Sequence, residues 1–171
     1  MKEQFESYKK LRNEIDELAE NLEKKHLTHM KCKAGCDLCC MDYNVFPVEF
    51  HYIVENLKKQ EKPEMVKQKA ESDCIFLKDH KCTIYNERPI ICRTHGLPLL
   101  YTNDNDEWEL SACELNFTEF PFEEFSEQNT FPQDKFNSKL FMLNKDFMAN
   151  FKEKEYGQFD LVPLKKIKDH F

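Results

Sequence analysis

The sequence predicts a single small domain, mainly α within the α+β class, of amphipathic helices with short β-hairpins and irregular loops organised around a cysteine cluster. Three observations predict it. Apolar residues recur at steps of three and four in stretches near both ends and in the middle of the chain. Short runs rich in β-branched and aromatic residues are broken by polar turns. No regular alternation of strands with helices, as a parallel sheet requires, is present. A chain of 171 residues has room for about one core, and its 15 Phe supply much of the apolar volume although the mean hydropathy is −0.74.

The first helix is expected from Lys2 to about Leu27, where Phe5, Tyr8, Leu11, Ile15, Leu18 and Leu22 make one stripe among mixed acids and bases. Pro47 can open a second helix, Val48 to about Lys59, with Phe50, Ile53, Val54 and Leu57 buried. A third, shorter helix is expected after Pro63, through Met65, Val66 and Ala70. Residues 74–85 read as two short strands around a polar turn at Lys78 to Lys81. Pro89 then starts a brief helix holding Ile90, Ile91, Cys92 and Arg93. Leu97 to Thr102 and Trp108 to Ser111 flank Asn103-Asp104-Asn105-Asp106 as a second hairpin ending at Cys113. An irregular Phe-rich stretch, Asn116 to Pro132, precedes a last helix, roughly Asp134 to Lys152. No linker divides the chain. Residues 1–29 form the N-terminal helix, 30–95 the cysteine core, and 96–171 an acidic connector with the C-terminal helix.

The three glycines, Gly35, Gly96 and Gly157, are too scattered for a Rossmann or Walker loop, which excludes the Gly-rich nucleotide cradles. A G-x-S-x-G elbow and an H-E-x-x-H pair are also lacking. The net charge of −7 is uneven, with ten acidic residues and no Lys or Arg between Thr94 and Asp134. That window reads as a solvated connector before it reads as a surface for a basic partner. The small basic excess elsewhere argues against nucleic acid as a partner.

Four of the eight cysteines fall in Cys32-x3-Cys36-x2-Cys39-Cys40; the others are Cys74, Cys82, Cys92 and Cys113. Packing gives little reason to crowd thiols like this, whereas a tetrathiolate metal site needs several soft donors converging from a short loop and from elsewhere. The charged N-terminus carries no secretory signal and no run of about 18 apolar residues occurs, so a cytoplasmic protein with reduced thiols and no membrane partner is expected. Metal ligation then outranks a disulfide framework. Cys36-x2-Cys39 is the one zinc-type knuckle. Adjacent side chains of extended backbone point to opposite faces, so Cys39 and Cys40 rarely serve one ion. Either one is spare, or two sites share the loop. The metal could be zinc or an iron–sulfur cluster. Arg88, Arg93, Lys31 and Lys33 are placed in sequence to offset thiolate charge, Arg88 and Arg93 above all. With eight sulfurs available, His26, His29, His80 and His95 are not needed as ligands. Cys113 is as readily a buried thiol as a ligand.

Cys32-x3-Cys36-x2-Cys39-Cys40, Cys74-Ile-Phe-Leu, Lys81-Cys82-Thr-Ile-Tyr85 and Arg88-Pro89-Ile-Ile-Cys92-Arg93 together resemble the CxxCxxCC, or YkgJ-like, family of zinc- or iron-chelating domains. The resemblance spans about residues 30–95 and implies a metal-chelating cysteine cluster. Its first gap is x3 where the family name has x2, which sets Cys32 apart from Cys36 and Cys39. Related segments occur in flagellin lysine N-methylases, so the resemblance allows a link to methyl transfer; the enzyme alternative is an iron–sulfur oxidoreductase or a methyl-transfer accessory protein. A thiol–disulfide switch through Cys36/Cys39 or Cys39/Cys40 is the weakest alternative, because no thioredoxin-like βαβ setting surrounds it.

Overall fold

The computed structural model describes residues 1–33, 35–60, 63–68, 70, 73–152 and 156–171, and shows an α+β fold. The elements run α1 (Lys2–Lys25), β1 (Asn44–Val45), α2 (Pro47–Lys58), β2 (Leu77–Lys78), β3 (Lys81–Cys82), α3 (Ile90–Thr94), β4 (Leu99–Thr102), β5 (Trp108–Ser111), β6 (Phe131–Pro132), α4 (Gln133–Asn150) and β7 (Val162–Pro163). Short 3₁₀ turns at Tyr85–Glu87, Phe122–Glu124 and Leu164–His170 complete it.

The α1 stripe does what its period predicts: Tyr8, Leu11, Ile15 and Leu22 are buried, and Phe5 and Leu18 pack against them. They meet Phe136, Leu140 and Phe147 of α4, together with Val48 and Tyr52 of α2. The opposite side of α2, Phe50, Ile53, Val54 and Leu57, belongs to a second core with Ile75, Phe76, Ile84, Leu164 and Ile167. Helix α2 is therefore the wall shared by two cores, which is why it is apolar on more than one face. Its N-terminus has no side-chain cap of its own. Asn144, fully buried on α4, supplies one across the core by accepting the Val48 N–H at 3.2 Å while donating to the Gln158 carbonyl.

The expected helix after Pro63 does not form. Residues 63–68 are irregular, the Val66 N–H donates to the Ile75 carbonyl, and the Thr83 hydroxyl donates to the Glu64 carbonyl. Lys69, inside that expected helix, lies outside the described residues. Long-range pairing beats a weak local propensity here, and Met65 packs against the second core in this conformation. The hairpin around Lys78 to Lys81 does form, shorter than expected, with Asp79 and His80 both at positive φ as a tight two-residue loop demands. Strands β4 and β5 pair antiparallel as expected, and β6 adds a parallel edge that the sequence does not announce. Likewise β1 pairs with β7 through Val45 and Val162, which carries the C-terminal segment onto the second core.

Where α1, α2 and α3 meet, the Glu49 carboxylate is 3 % exposed and accepts from the Tyr8 hydroxyl at 2.9 Å and the Ile90 N–H at 3.0 Å. Burial raises its pKa, and those hydrogen bonds and Arg93 only partly offset this. A carboxyl held above its unfolded value of about 4.3 contributes stability below that value and loses it as pH rises through the folded one. Wild-type protein is thus expected to lose stability relative to Glu49→Gln between acid and neutral pH. Denaturation midpoints of both proteins across that range are the check, and a constant difference would contradict it.

Candidate metal centre

Two consecutive turns build the cysteine loop that follows α1. The Cys36 N–H donates to the Lys33 carbonyl at 2.9 Å, with Gly35 at φ +94°, and the Cys40 N–H donates to the Asp37 carbonyl at 2.8 Å. The chain then extends, and a bridge between Met41 and Asp73 sets Cys40 beside Cys74. The Cys74 carbonyl accepts the Leu77 N–H, and Leu77 stands opposite Cys82 in the β2–β3 ladder. His80, at the tip of that hairpin, hydrogen-bonds the Asp37 carboxylate at 2.9 Å and ties the hairpin back to the cysteine loop. Cys92 lies on α3, its carbonyl accepting from Arg88 Nε at 3.4 Å.

Cys113 follows β5 and enters by another route. Its carbonyl accepts the Asn116 N–H, and the Asn116 side chain donates from Nδ2 to Cys32 Sγ at 3.3 Å and to the Gly96 carbonyl at 2.8 Å. The same amide accepts the Lys31 N–H through Oδ1 at 2.7 Å. Asn116 is 5 % exposed, so it fastens the start of the cysteine loop to the segment carrying Cys113 from a buried position. Gly96, at φ +90°, makes the room: a Cβ there would meet Cys32 Sγ at 2.6 Å and Asn116 Nδ2 at 3.2 Å. Gly96→Ala is expected to cost about 1–3 kcal/mol from backbone strain alone and to displace Cys32, measured by urea denaturation.

All eight cysteines are free thiols. Burial pushes Cys92 up most, and Cys74, Cys82 and Cys40 push it further. Burial, then Cys39, Cys74 and Cys82, raise Cys40 to about 12. Cys39 is raised by burial and by Cys32, Cys36 and Cys113; Cys32 by burial and by Cys113 and Cys36, against the pull of Asn116. Burial raises Cys74 and Cys82 too, and the Arg88 charge opposes it at Cys82. Crowding sulfurs in half-buried positions keeps them protonated until a cation compensates. Among the described residues, no three His, Cys, Asp or Glu side chains stand grouped so that they could hold a metal ion. The backbone gathers the thiols into neighbourhoods without closing them on one point. Their chemistry fits zinc or iron, which take soft thiolate donors.

The two arginines have different surroundings. Arg88 lies over the Tyr85 ring at 3.7 Å and reaches both Cys92 and the field of Cys82. Arg93 spends its donors on Asp16 of α1 and on the carbonyls of Arg88 and Asn86. His26 is buried against Phe117 and Phe120 and bonded to the Asn129 carbonyl. His95 is half-buried beside Tyr43, at 5.1 Å between rings, and burial lowers its pKa. Tyr43 itself was not among the sequence candidates. Its hydroxyl donates to the Cys39 carbonyl, and burial followed by Cys92, Cys39, Cys40 and Cys74 raises it to about 12. Asn116 and Gly96 were also invisible to motif reading, since nothing local marks an amide or a missing Cβ as a partner of sulfur.

A small α+β fold that brings free thiols from separate segments together defines a cysteine-rich, metal-chelating class of domain. Residues 31–114 match the CxxCxxCC family model, described as a "putative zinc- or iron-chelating domain". The matched segment starts one residue before Cys32 and ends one after Cys113, so it encloses all eight cysteines and reaches beyond the 30–95 core. No curated protein and no solved structure matches the chain. No helix among the described residues is long and apolar enough to cross a membrane.

Proposed function

We propose that the chain is a metal-binding protein whose cysteine cluster, drawn from Cys32, Cys36, Cys39, Cys40, Cys74, Cys82, Cys92 and Cys113, holds zinc or an iron–sulfur centre. One observation carries this reading: hydrogen bonds and strand pairings draw free thiols from segments as far apart as Cys32 and Cys113 into neighbouring positions. A bound cation would supply the positive charge that lets crowded sulfurs ionise. Arg88 offsets the charge near Cys82, and Asn116 donates to Cys32 Sγ, as partners of metal thiolates commonly do. The thiol-switch alternative gains nothing, because an attacking thiol needs a lowered pKa and Cys39 and Cys40 are raised.

The test is anaerobic purification followed by zinc, iron and acid-labile sulfide per chain, with a visible spectrum. Iron with matching sulfide and a brown colour favours the iron–sulfur centre; zinc without colour favours the zinc site. Neither metal, with eight titratable thiols, overturns the reading.

A further inference from the structure

We propose that the eight cysteines form two separate four-sulfur metal sites, Cys40/Cys74/Cys82/Cys92 and Cys32/Cys36/Cys39/Cys113, which meet at the Cys39–Cys40 peptide. The inference rests on the metal-binding reading and adds its stoichiometry, its ligand sets and an order of metal release.

The backbone makes the division. In the first set, the Met41–Asp73 bridge aligns Cys40 with Cys74, and the β2–β3 register carries Cys82 back towards Cys74. Arg88 joins this pair to Cys92 through the Cys92 carbonyl. In the second set, Asn116 links Cys32 to the Cys113 segment, and two consecutive turns keep Cys36 and Cys39 in the same short loop as Cys32. Neighbouring sulfurs divide in the same way, Cys92 feeling Cys74, Cys82 and Cys40, and Cys39 feeling Cys32, Cys36 and Cys113. Cys39 and Cys40 feel each other across the peptide that joins the sets. Four thiolates are the complement of a structural zinc ion or of one iron–sulfur cluster, and neither set needs a histidine.

The two sites differ in support. Cys74, Cys82 and Cys92 are flanked by Ile75, Phe76, Ile84 and Ile90, buried residues of the two cores, so solvent and chelator reach a metal there less easily. Cys32 and Cys39 are exposed, on a loop that Asn116 fastens at its start and His80 and Tyr43 fasten further along. Metal in the Cys32 set therefore exchanges with solvent ligands readily, and metal in the Cys40 set slowly.

The experiment uses full-length protein stripped of metal under anaerobic conditions, then titrated with Zn2+ and followed by native mass spectrometry and chelator competition. The expected result is saturation at two Zn2+ per chain, with one released to chelator fast and one slowly. Cys113→Ser and Cys32→Ser should each take up one Zn2+ and lose the fast phase only, although these positions are far apart in sequence. Cys82→Ser should lose the slow phase. If that variant fails to fold, the wild-type stoichiometry and the two release phases still decide. Saturation at one Zn2+, or a Cys113→Ser variant that keeps both or loses both, overturns the two-site inference and leaves metal binding intact. A wild-type chain that binds no Zn2+, and holds no metal as isolated, overturns the metal-binding reading itself.

Discussion

Removing the metal with a chelator is expected to lower the melting temperature more than any single substitution in the helical core. Structural zinc contributes apparent binding energies of about 10–16 kcal/mol in small domains, against a total stability of about 5–15 kcal/mol for a whole domain. The loss should be local first. Residues 32–92 carry seven of the eight cysteines and contribute Ile75, Phe76 and Ile84 to the second core. Amide exchange in the metal-free protein should quicken there and at Leu164 and Ile167, while α1 and α4, packed on each other, keep their protection longer. Cys36→Ser should move the same amides in the same direction. Acid should act like a chelator, because protons compete for sulfurs whose burial already favours the neutral thiol. A metal-free protein with an unchanged melting temperature would sink the idea that metal orders this half.

The second large effect is expected from Arg93→Ala. Arg93 is 6 % exposed, and its Nη1 meets the two Asp16 carboxylate oxygens at 2.7 and 2.6 Å. Nη2 and Nε donate to the carbonyls of Asn86 at 2.6 Å and Arg88 at 2.8 Å. The variant removes the donors to the Asn86 and Arg88 carbonyls and strips Asp16 of its partner. Breaking a buried pair typically costs about 3–5 kcal/mol; Asp16 can rehydrate at 35 % side-chain exposure, which places the expectation near the lower end. Arg93→Lys should recover only part of the loss, since an ammonium cannot span these acceptors as a guanidinium fork does. Urea denaturation of both variants is the check, and a cost under about 1 kcal/mol for Arg93→Ala would refute the clamp. The consequence reaches the cysteines. Helix α1 lies outside the family segment, yet its Asp16 and Arg12 grip the stretch that ends in Cys92, Arg12 bonding Glu87 at 2.8 Å. Metal retention by the proposed cluster should therefore weaken along with stability.

Much of the helical frame could be read from local pattern. The stripe from Phe5 to Leu22 and the apolar run of α2 define elements within a residue or two of their observed limits, because helical period is a property of near neighbours. The stretch after Pro63 went the other way: Met65, Val66 and Ala70 suggest a turn of helix, but Ile75 offers Val66 a partner that no window of nearby residues contains. The two-residue strands β1, β6 and β7 escaped for the same reason, each existing only through its partner.

For the metal chemistry, the residues alone determined the donor type, the abundance of sulfur and the conflict between Cys39 and Cys40, since side-chain chemistry and the geometry of adjacent residues are local. Which sulfur neighbours which was decided only by the tertiary structure. The Met41–Asp73 bridge and the Asn116 amide are pairings between segments distant in sequence. Arg93 makes the same point: its sequence position beside Cys92 suggests a partner for thiolate, and the packing of α1 gives it Asp16 instead.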